Sequence, residues 1–242
     1  MRVLNLGCGT KVSSVAEVLN IDWTPFLRLR KSRVLRPFAP LIVGHDRRRA
    51  LNALGDNILG HNLAKGIPFP SGTVDAVYHS HLMEHIDRDK IPLFLAEIRR
   101  VLKPNGIHRI VIPDFELACR AYVAHIDIAE HDAEARLAHE RYIGGILEQS
   151  VRRASAGKGK QSRARRLIEN LVLGDARKRG ETHQWMYDRL TLCDVLLAAG
   201  FREPSVMKYD VSNIPRWTES RLEVDADGSE YKPGSLYVEA IK

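Results

Sequence analysis

The chain has 242 residues, of which 44% are hydrophobic and 28% charged, with a formal charge of +7. This balance supports a sizeable core and excludes a disordered or low-complexity chain, and no apolar run reaches the roughly 18 residues that a membrane-spanning helix needs. The start, Met1-Arg2-Val3-Leu4-Asn5-Leu6-Gly7, is interrupted by polar residues too soon for a secretory signal, and Cys8, Cys119 and Cys193 are scattered and odd in number; both features predict a reducing, cytoplasmic setting.

In chain order, short apolar runs alternate with helical patterns, as in a parallel sheet with crossover helices. Val3-Leu4-Asn5-Leu6 predicts a first strand that ends in a Gly7-Cys8-Gly9 turn. Val18-Leu19-Asn20-Ile21 predicts a second, ending at Asp22. Asn57-Ile58-Leu59 predicts a third, ending near His61-Asn62, and residues 74–78 a fourth, ending at His79-Ser80-His81. Ile91, Phe94, Leu95, Ile98, Val101 and Leu102 recur at helical spacing, with Asp89 placed to cap the start and Lys103-Pro104-Asn105-Gly106 to end it. Residues 107–112 predict a fifth strand, ending at Pro113-Asp114. A helix is expected from Thr191, in capping-box relation with Asp194, to a turn at Gly200. Residues 206–209 and 236–241 then predict two late strands.

Two stretches break the alternation. Residues 24–56 are basic and Leu/Arg-rich, and residues 115–187 are polar and mostly helical in pattern. Both are expected as insertions on one sheet, so that residues 1–242 form a single domain whose insertions cover the site. The positive charge is clustered within them. Arg28, Arg30, Lys31, Arg33, Arg36 and Arg47 to Arg49 form one group, and Arg152, Arg153, Lys158, Lys160, Arg163, Arg165 and Arg166 a second. A third centres on Lys178. Such clusters are either solvated surface or an attraction for an acidic partner, such as a phosphorylated glycan, an anionic lipid or RNA. No aromatic residues interleave the second cluster, which disfavours single-stranded nucleic acid.

The polar residues fall at the carboxyl ends of successive predicted strands, where open α/β sheets bind their ligands. Gly7 and Gly9 let a ligand approach the backbone, and amides entering a following helix would hold an anionic group. Asp22 can accept two hydrogen bonds from a ribose diol, and Asn62 offers both a donor and an acceptor to an adenine edge. A dinucleotide site needs a third glycine, but Val12 stands there, which favours a mononucleoside ligand. Taken singly, the glycines read as a tight turn, Asp22 as a cap and Asn62 as a turn residue.

Leu4-Asn5-Leu6-Gly7-Cys8-Gly9-Thr10 resembles the first motif of class I S-adenosylmethionine-dependent methyltransferases. Ile67-Pro68-Phe69-Pro70-Ser71-Gly72-Thr73-Val74-Asp75-Ala76-Val77-Tyr78 is similar to a segment of the type 11 methyltransferase group, Glu84-His85 to the acid–histidine pair that follows it, and Arg99-Arg100-Val101-Leu102-Lys103-Pro104-Asn105-Gly106 to its later basic segment. These segments span residues 1–114. The resemblance implies a Rossmann-like, doubly wound α/β fold with a seven-stranded sheet whose last strand is antiparallel, here with helical insertions. It implies S-adenosyl-L-methionine as cofactor, with Leu6, Gly7, Cys8 and Gly9 against its methionine part and Asp22 on the ribose. Asn62 and Leu63 would face the adenine, and His79 the reactive methyl.

The sequence lacks the helices that commonly precede the first strand in this family. Histidine suits a general base for a hydroxyl acceptor. His81 is the first candidate, followed by His79 and His183, and His85 is a further one. The acceptor expected is a small molecule, a glycan or a lipid-linked group, anionic ones included; an RNA acceptor and a cofactor-binding protein without catalysis are the alternatives. His81-Leu82-Met83-Glu84-His85 also matches an inverted zinc-peptidase motif, which requires a helix with both histidines on one face. No metal is expected, because the segment begins at a strand end.

Overall fold

A computed structural model describes residues 1–24, 27, 57–149 and 183–242. The basic residues 28–49, 152–166 and 177–179 lie outside the described residues. Among the described residues, seven strands form one sheet: β1 Val3–Leu6, β2 Val18–Asp22, β3 Ile58–Gly60, β4 Val74–Ser80, β5 Leu102–Pro113, β6 Arg202–Met207 and β7 Ser235–Ile241. Their order is β3-β2-β1-β4-β5-β7-β6. The first five run parallel, and β7 is antiparallel to both β5 and β6. This is the predicted Rossmann-like α/β sheet with its last strand reversed.

Both faces of the sheet are buried, which is why β1 and β4 read as continuous apolar runs rather than alternating ones. On one face Leu4, Leu6, Ile21, Val77, Ile110, Ile112 and Val238 pack beneath two helices, α1 Ile91–Val101 and α5 Arg189–Ala198. The first helix forms where expected: Ile91, Phe94, Leu95, Ile98 and Val101 are its buried stripe, and Pro92 occupies the first turn. Each such side chain, removed from water, contributes about 1.5–3 kcal/mol. Its start differs from the prediction. A 3-10 turn over Arg88–Lys90 leads into the helix, and no side chain caps it, so Asp89 is not the cap.

The late helix also begins earlier than Thr191. Asp188 is its N-cap: its carboxylate accepts the Thr191 N–H at 2.8 Å, and the Thr191 hydroxyl accepts the Asp188 N–H at 3.1 Å. The capping box is therefore Asp188–Thr191, and Asp194 takes no part in it. Gly200, at φ +83°, closes the C-terminal turn by donating its N–H to the Leu197 carbonyl.

The other face carries Val3, Val18, Ala76, Tyr78, Val111 and Tyr237, covered by Ile214, Trp217 and Leu222. Arg109 of β5 projects into this face with no exposure at all. Its guanidinium donates to both Glu223 oxygens at 2.9 Å, to Glu239 at 2.7 Å and to the Val211 and Lys208 carbonyls. Trp217 adds an indole N–H to Glu223 at 2.6 Å. A buried guanidinium is tolerable only when its donors are met in this way. The network fastens the irregular 208–224 segment to the sheet. Helices α2 Phe115–His131, α3 Ala133–Ala138 and α4 Glu140–Gln149 follow β5, as the helical pattern there predicts.

Candidate active site

No helix follows the glycine turn. Only residues 7–17 join β1 to β2, and they are irregular. A crossover with a helix needs a dozen residues or more, so the connection is too short for one. The expectation of helix-entry amides after the glycine turn is therefore corrected: the amides there belong to a loop. Buried side chains fix their positions instead. The Asn5 amide donates to Asn20 Oδ1 at 2.9 Å and to the Lys11 carbonyl at 3.1 Å. Asn20 accepts the Ser13 N–H and donates to the Ser13 carbonyl. The Cys8 N–H reaches the Ile21 carbonyl of β2 at 3.2 Å.

The two glycines serve different needs. Both have left-handed backbones, φ +62° at Gly7 and +53° at Gly9. A Cβ on Gly7 would lie 2.8 Å from Leu82, whereas one on Gly9 would meet nothing within 4 Å among the described residues. Gly7 thus allows the turn to pack against the segment after β4. Gly9 leaves open space beside the backbone.

Asp22, 4% exposed at the end of β2, closes this loop from the side. Its carboxylate accepts the Gly9 N–H at 2.6 Å through Oδ2 and the Thr24 N–H at 2.6 Å through Oδ1. A carboxylate has about four acceptor positions, so two remain for a ligand. At the end of β3, the His61 N–H donates to the Asp22 carbonyl at 3.0 Å. The Asn62 side-chain oxygen caps the 3-10 turn Leu63–Lys65 by accepting the Ala64 N–H at 3.0 Å, which leaves the amide donor of Asn62 for other partners. Leu63 packs against the core, and Leu6 is fully buried, so the polar groups it offers the site are those of its backbone.

A cavity of about 220 Å³ opens beyond β1 and β4, lined by Gly7, Cys8, Gly9, Ser80, His81 and Lys232, among others. The predicted glycine turn and His81 therefore share one space. Asp22 and Asn62 do not line it; they continue the same rim, joined to it through Gly9 and His61. Cys8 is buried, and burial pushes its thiol up to about 12, so it stays protonated.

His79 is placed differently from its expectation. Its ring has no exposure and lies 5.5 Å from the Phe94 ring and 5.1 Å from the His108 ring, with 3.1 Å between the two Nε2 atoms. The side chain faces the core under α1, not the cavity. A ring there can neither take a proton from an acceptor nor line the cofactor. Burial holds it down to about 3, so it remains neutral.

His81 stands one step beyond β4, in a left-handed conformation at φ 49° that turns the chain out of the sheet. Its Nε2 lies 2.9 Å from the Ser235 hydroxyl and its Nδ1 3.4 Å from Glu84 Oε1. Burial lowers its pKa to about 3, and the charges of Lys232, His183 and His85 act in the same sense. The following residues form a single 3-10 turn, Met83–His85, rather than an α-helix. The inverted zinc-peptidase motif is therefore absent in its helical form. Glu84 is 1% exposed, and burial pushes its carboxyl up to about 8. Its carbonyl accepts the Gln184 N–H at 2.6 Å, which draws His183 alongside, and the His85 and His183 rings are 4.9 Å apart.

Sequence reasoning missed Tyr231, Lys232 and Lys11. Lys11 Nζ sits 3.8 Å over the Tyr231 ring and donates to the Val224 carbonyl at 2.9 Å. Lys232 is partly desolvated, and burial lowers its pKa. Both aromatic ring and amine come from the loop before β7, far from β1 in sequence and without a motif of their own.

Residues 45–110 match the methyltransferase domain family. No curated protein matches the sequence. Similar solved structures include an S-adenosylmethionine-dependent methyltransferase from Methanosarcina mazei, at 14% identity, covering 100% of this chain and 92% of that one with a TM-score of 0.46. Another, from Archaeoglobus fulgidus, shows 14% identity, covers 100% and 86%, and has a TM-score of 0.43. A third, from Thermotoga maritima and described as a possible histamine N-methyltransferase, shows 15% identity, covers 100% and 82%, and has a TM-score of 0.43. Likeness at this level carries no functional argument. The family match includes β3, β4, α1 and most of β5, the central part of the reversed-edge sheet described above. The match to the methyltransferase domain family covers about a quarter of the chain, and the reversed-edge sheet is the fold that these methyltransferase structures share.

Proposed function

We propose that this chain is a class I S-adenosylmethionine-dependent methyltransferase acting on a hydroxyl-bearing small molecule, glycan or lipid-linked acceptor, with His81 beside the transferred methyl. The observation that supports this most is the single cavity that brings the Gly7–Gly9 turn and His81 together. The cofactor would be held along the rim, by Leu6 to Gly9 at its methionine part, by the remaining acceptor positions of Asp22 at its ribose, and by Asn62 and Leu63 at its adenine. The open space beside Gly9, which a Cβ would fill, fits a ligand lying against the backbone there. When bound, the cofactor supplies an activated methyl group. The chain's own residues position the acceptor, exclude water and handle its proton. His81, held by Ser235 and close to Glu84, is a neutral imidazole placed to hydrogen-bond the acceptor hydroxyl; held down to about 3 by burial, it is a weak base there. Lys232 on the same wall favours an acceptor carrying negative charge.

The test is transfer of labelled methyl from S-adenosylmethionine into fractionated cell extract, with and without ribonuclease, followed by identification of the product. A ribonuclease-resistant product is expected; a ribonuclease-sensitive one would replace this acceptor with RNA. With the acceptor in hand, His81→Ala should lower kcat by about 10²–10⁴-fold while cofactor affinity changes little. Unchanged kcat would remove His81 from the reaction.

A further inference from the structure

We infer that Glu84, His85 and His183 form a binding site for one divalent transition-metal ion of the zinc class. Their ligand atoms all lie within 4.8 Å of one another. A carboxylate oxygen and two imidazole nitrogens are a donor set that suits zinc and its neighbours and does not suit magnesium, which prefers oxygen alone.

The fold brings these donors together by local means. The left-handed His81 ends the strand, and the 3-10 turn after it puts Glu84 and His85 in successive positions. The Gln184 and Trp185 N–H groups both reach the Glu84 carbonyl, at 2.6 and 3.4 Å, and so seat His183 beside them. Donors of one tetrahedral ion with bonds of about 2.0–2.2 Å stand about 3.3–3.6 Å apart. His85 Nε2 is 3.9 Å from Glu84 Oε1, so closure around an ion brings these two atoms a few tenths of an ångström closer.

The independent observation is the Glu84 carboxylate itself. The residue is 99% buried, yet neither side-chain oxygen has a hydrogen-bond partner among the described residues. The His81 and His85 nitrogens stand near Oε1, at 3.4 and 3.9 Å, without hydrogen-bond geometry. A buried carboxyl group without partners is costly, protonated or ionised, and a cation is one of the few partners that would satisfy its ionised form. Lys232 also acts on Glu84 and opposes a cation there. Three protein donors leave at least one coordination position for water or for an oxygen of the acceptor. The site adjoins His81 and the cavity, and it does not depend on which acceptor is methylated.

The test uses the full chain, stripped with a chelator and dialysed, and no cofactor. Zinc and, separately, magnesium are titrated against a competing chromophoric chelator, and cobalt(II) is added as a spectroscopic substitute. Expected are one zinc per chain, no magnesium binding in the same range, and a cobalt spectrum of low coordination number without thiolate bands. His183→Ala and the near-isosteric Glu84→Gln should each weaken zinc binding at least tenfold, with the circular dichroism spectrum retained. His139→Ala is the control, because His125 and His139 form a second histidine pair with their Nδ1 atoms 2.9 Å apart. Zinc lost only in His139→Ala, zinc retained in both site variants, or no stoichiometric zinc in the folded wild type would each overturn the inference. Cofactor binding, measured in parallel, reports separately on the methyltransferase site.

Discussion

Replacing Asp22 by alanine removes one carboxylate that performs two tasks. It accepts two backbone N–H groups, from Gly9 and Thr24, both at 2.6 Å, and it is 4% exposed. Hydrogen bonds to a charged acceptor contribute about 1.5–3 kcal/mol each. Loss of both therefore bounds the cost at roughly 3–6 kcal/mol, and water entering the truncated space returns part of it. The expected loss of folding stability is about 3 kcal/mol, read from denaturant midpoints at unchanged slope. Cofactor affinity should also fall at least tenfold, about 1.4 kcal/mol, because the Gly9 loop loses its anchor and the ribose its acceptor. Asp22→Asn separates the tasks. One oxygen remains, but the new NH₂ group faces a backbone N–H, so one bond is kept and one is replaced by a donor–donor clash. Its stability should lie between wild type and alanine, with affinity as poor as in the alanine variant. The assays are urea denaturation and calorimetric titration with S-adenosylhomocysteine. An Asp22→Ala protein with wild-type stability and wild-type affinity would refute both assignments at once.

Gly9→Ala meets nothing within 4 Å among the described residues, so its cost to stability should be only the left-handed backbone, about 1–2 kcal/mol, while cofactor affinity falls; Gly7→Ala adds a contact at 2.8 Å with Leu82 and should destabilise more in the same melts. Arg109→Ala leaves Glu223 and Glu239 buried without their guanidinium and should cost about 3–5 kcal/mol in denaturant unfolding, whereas Arg109→Met with both glutamates changed to glutamine should recover much of that loss. Asp188→Ala removes the α5 cap and should cost about 1 kcal/mol at neutral pH. The Thr191 N–H holds the Asp188 carboxyl below its usual range. The cap therefore contributes fully above the unfolded carboxylate value, about 3.9, and is lost as pH falls through the lower folded value. The cost of Asp188→Ala should shrink in the same acid window.

The sheet was legible because burial on both faces leaves an unmistakable pattern. β1, β2 and β4 are apolar runs of strand length bounded by glycine, aspartate or serine, and α1 carries its stripe at helical spacing. The glycine turn and His81 were legible because strand ends mark the crevice. Where prediction and structure part, the causes are specific. The His79 side chain shares the face of Val77, two residues before it, and strand alternation puts both beneath α1; a strand-end position alone does not decide which face a histidine takes. The missing helix after β1 follows from the length of the connection, which its glycine motif does not reveal. Lys232, Tyr231 and the Arg109–Glu223–Glu239 network join residues roughly a hundred or more positions apart, and no local pattern encodes such pairs. The late cap moved from Thr191 to Asp188 because both residues can cap, and only the packing of Leu192 and Leu196 fixes the start of the helix.

The central claim is that the cofactor lies against the backbone at Gly9. Calorimetric titration of S-adenosylmethionine into wild type and Gly9→Val tests it most directly, with the fold of both checked by circular dichroism. One cofactor per wild-type chain and no measurable binding to the folded Gly9→Val protein is the predicted result. Equal binding to both proteins, or none to the folded wild type, would contradict it.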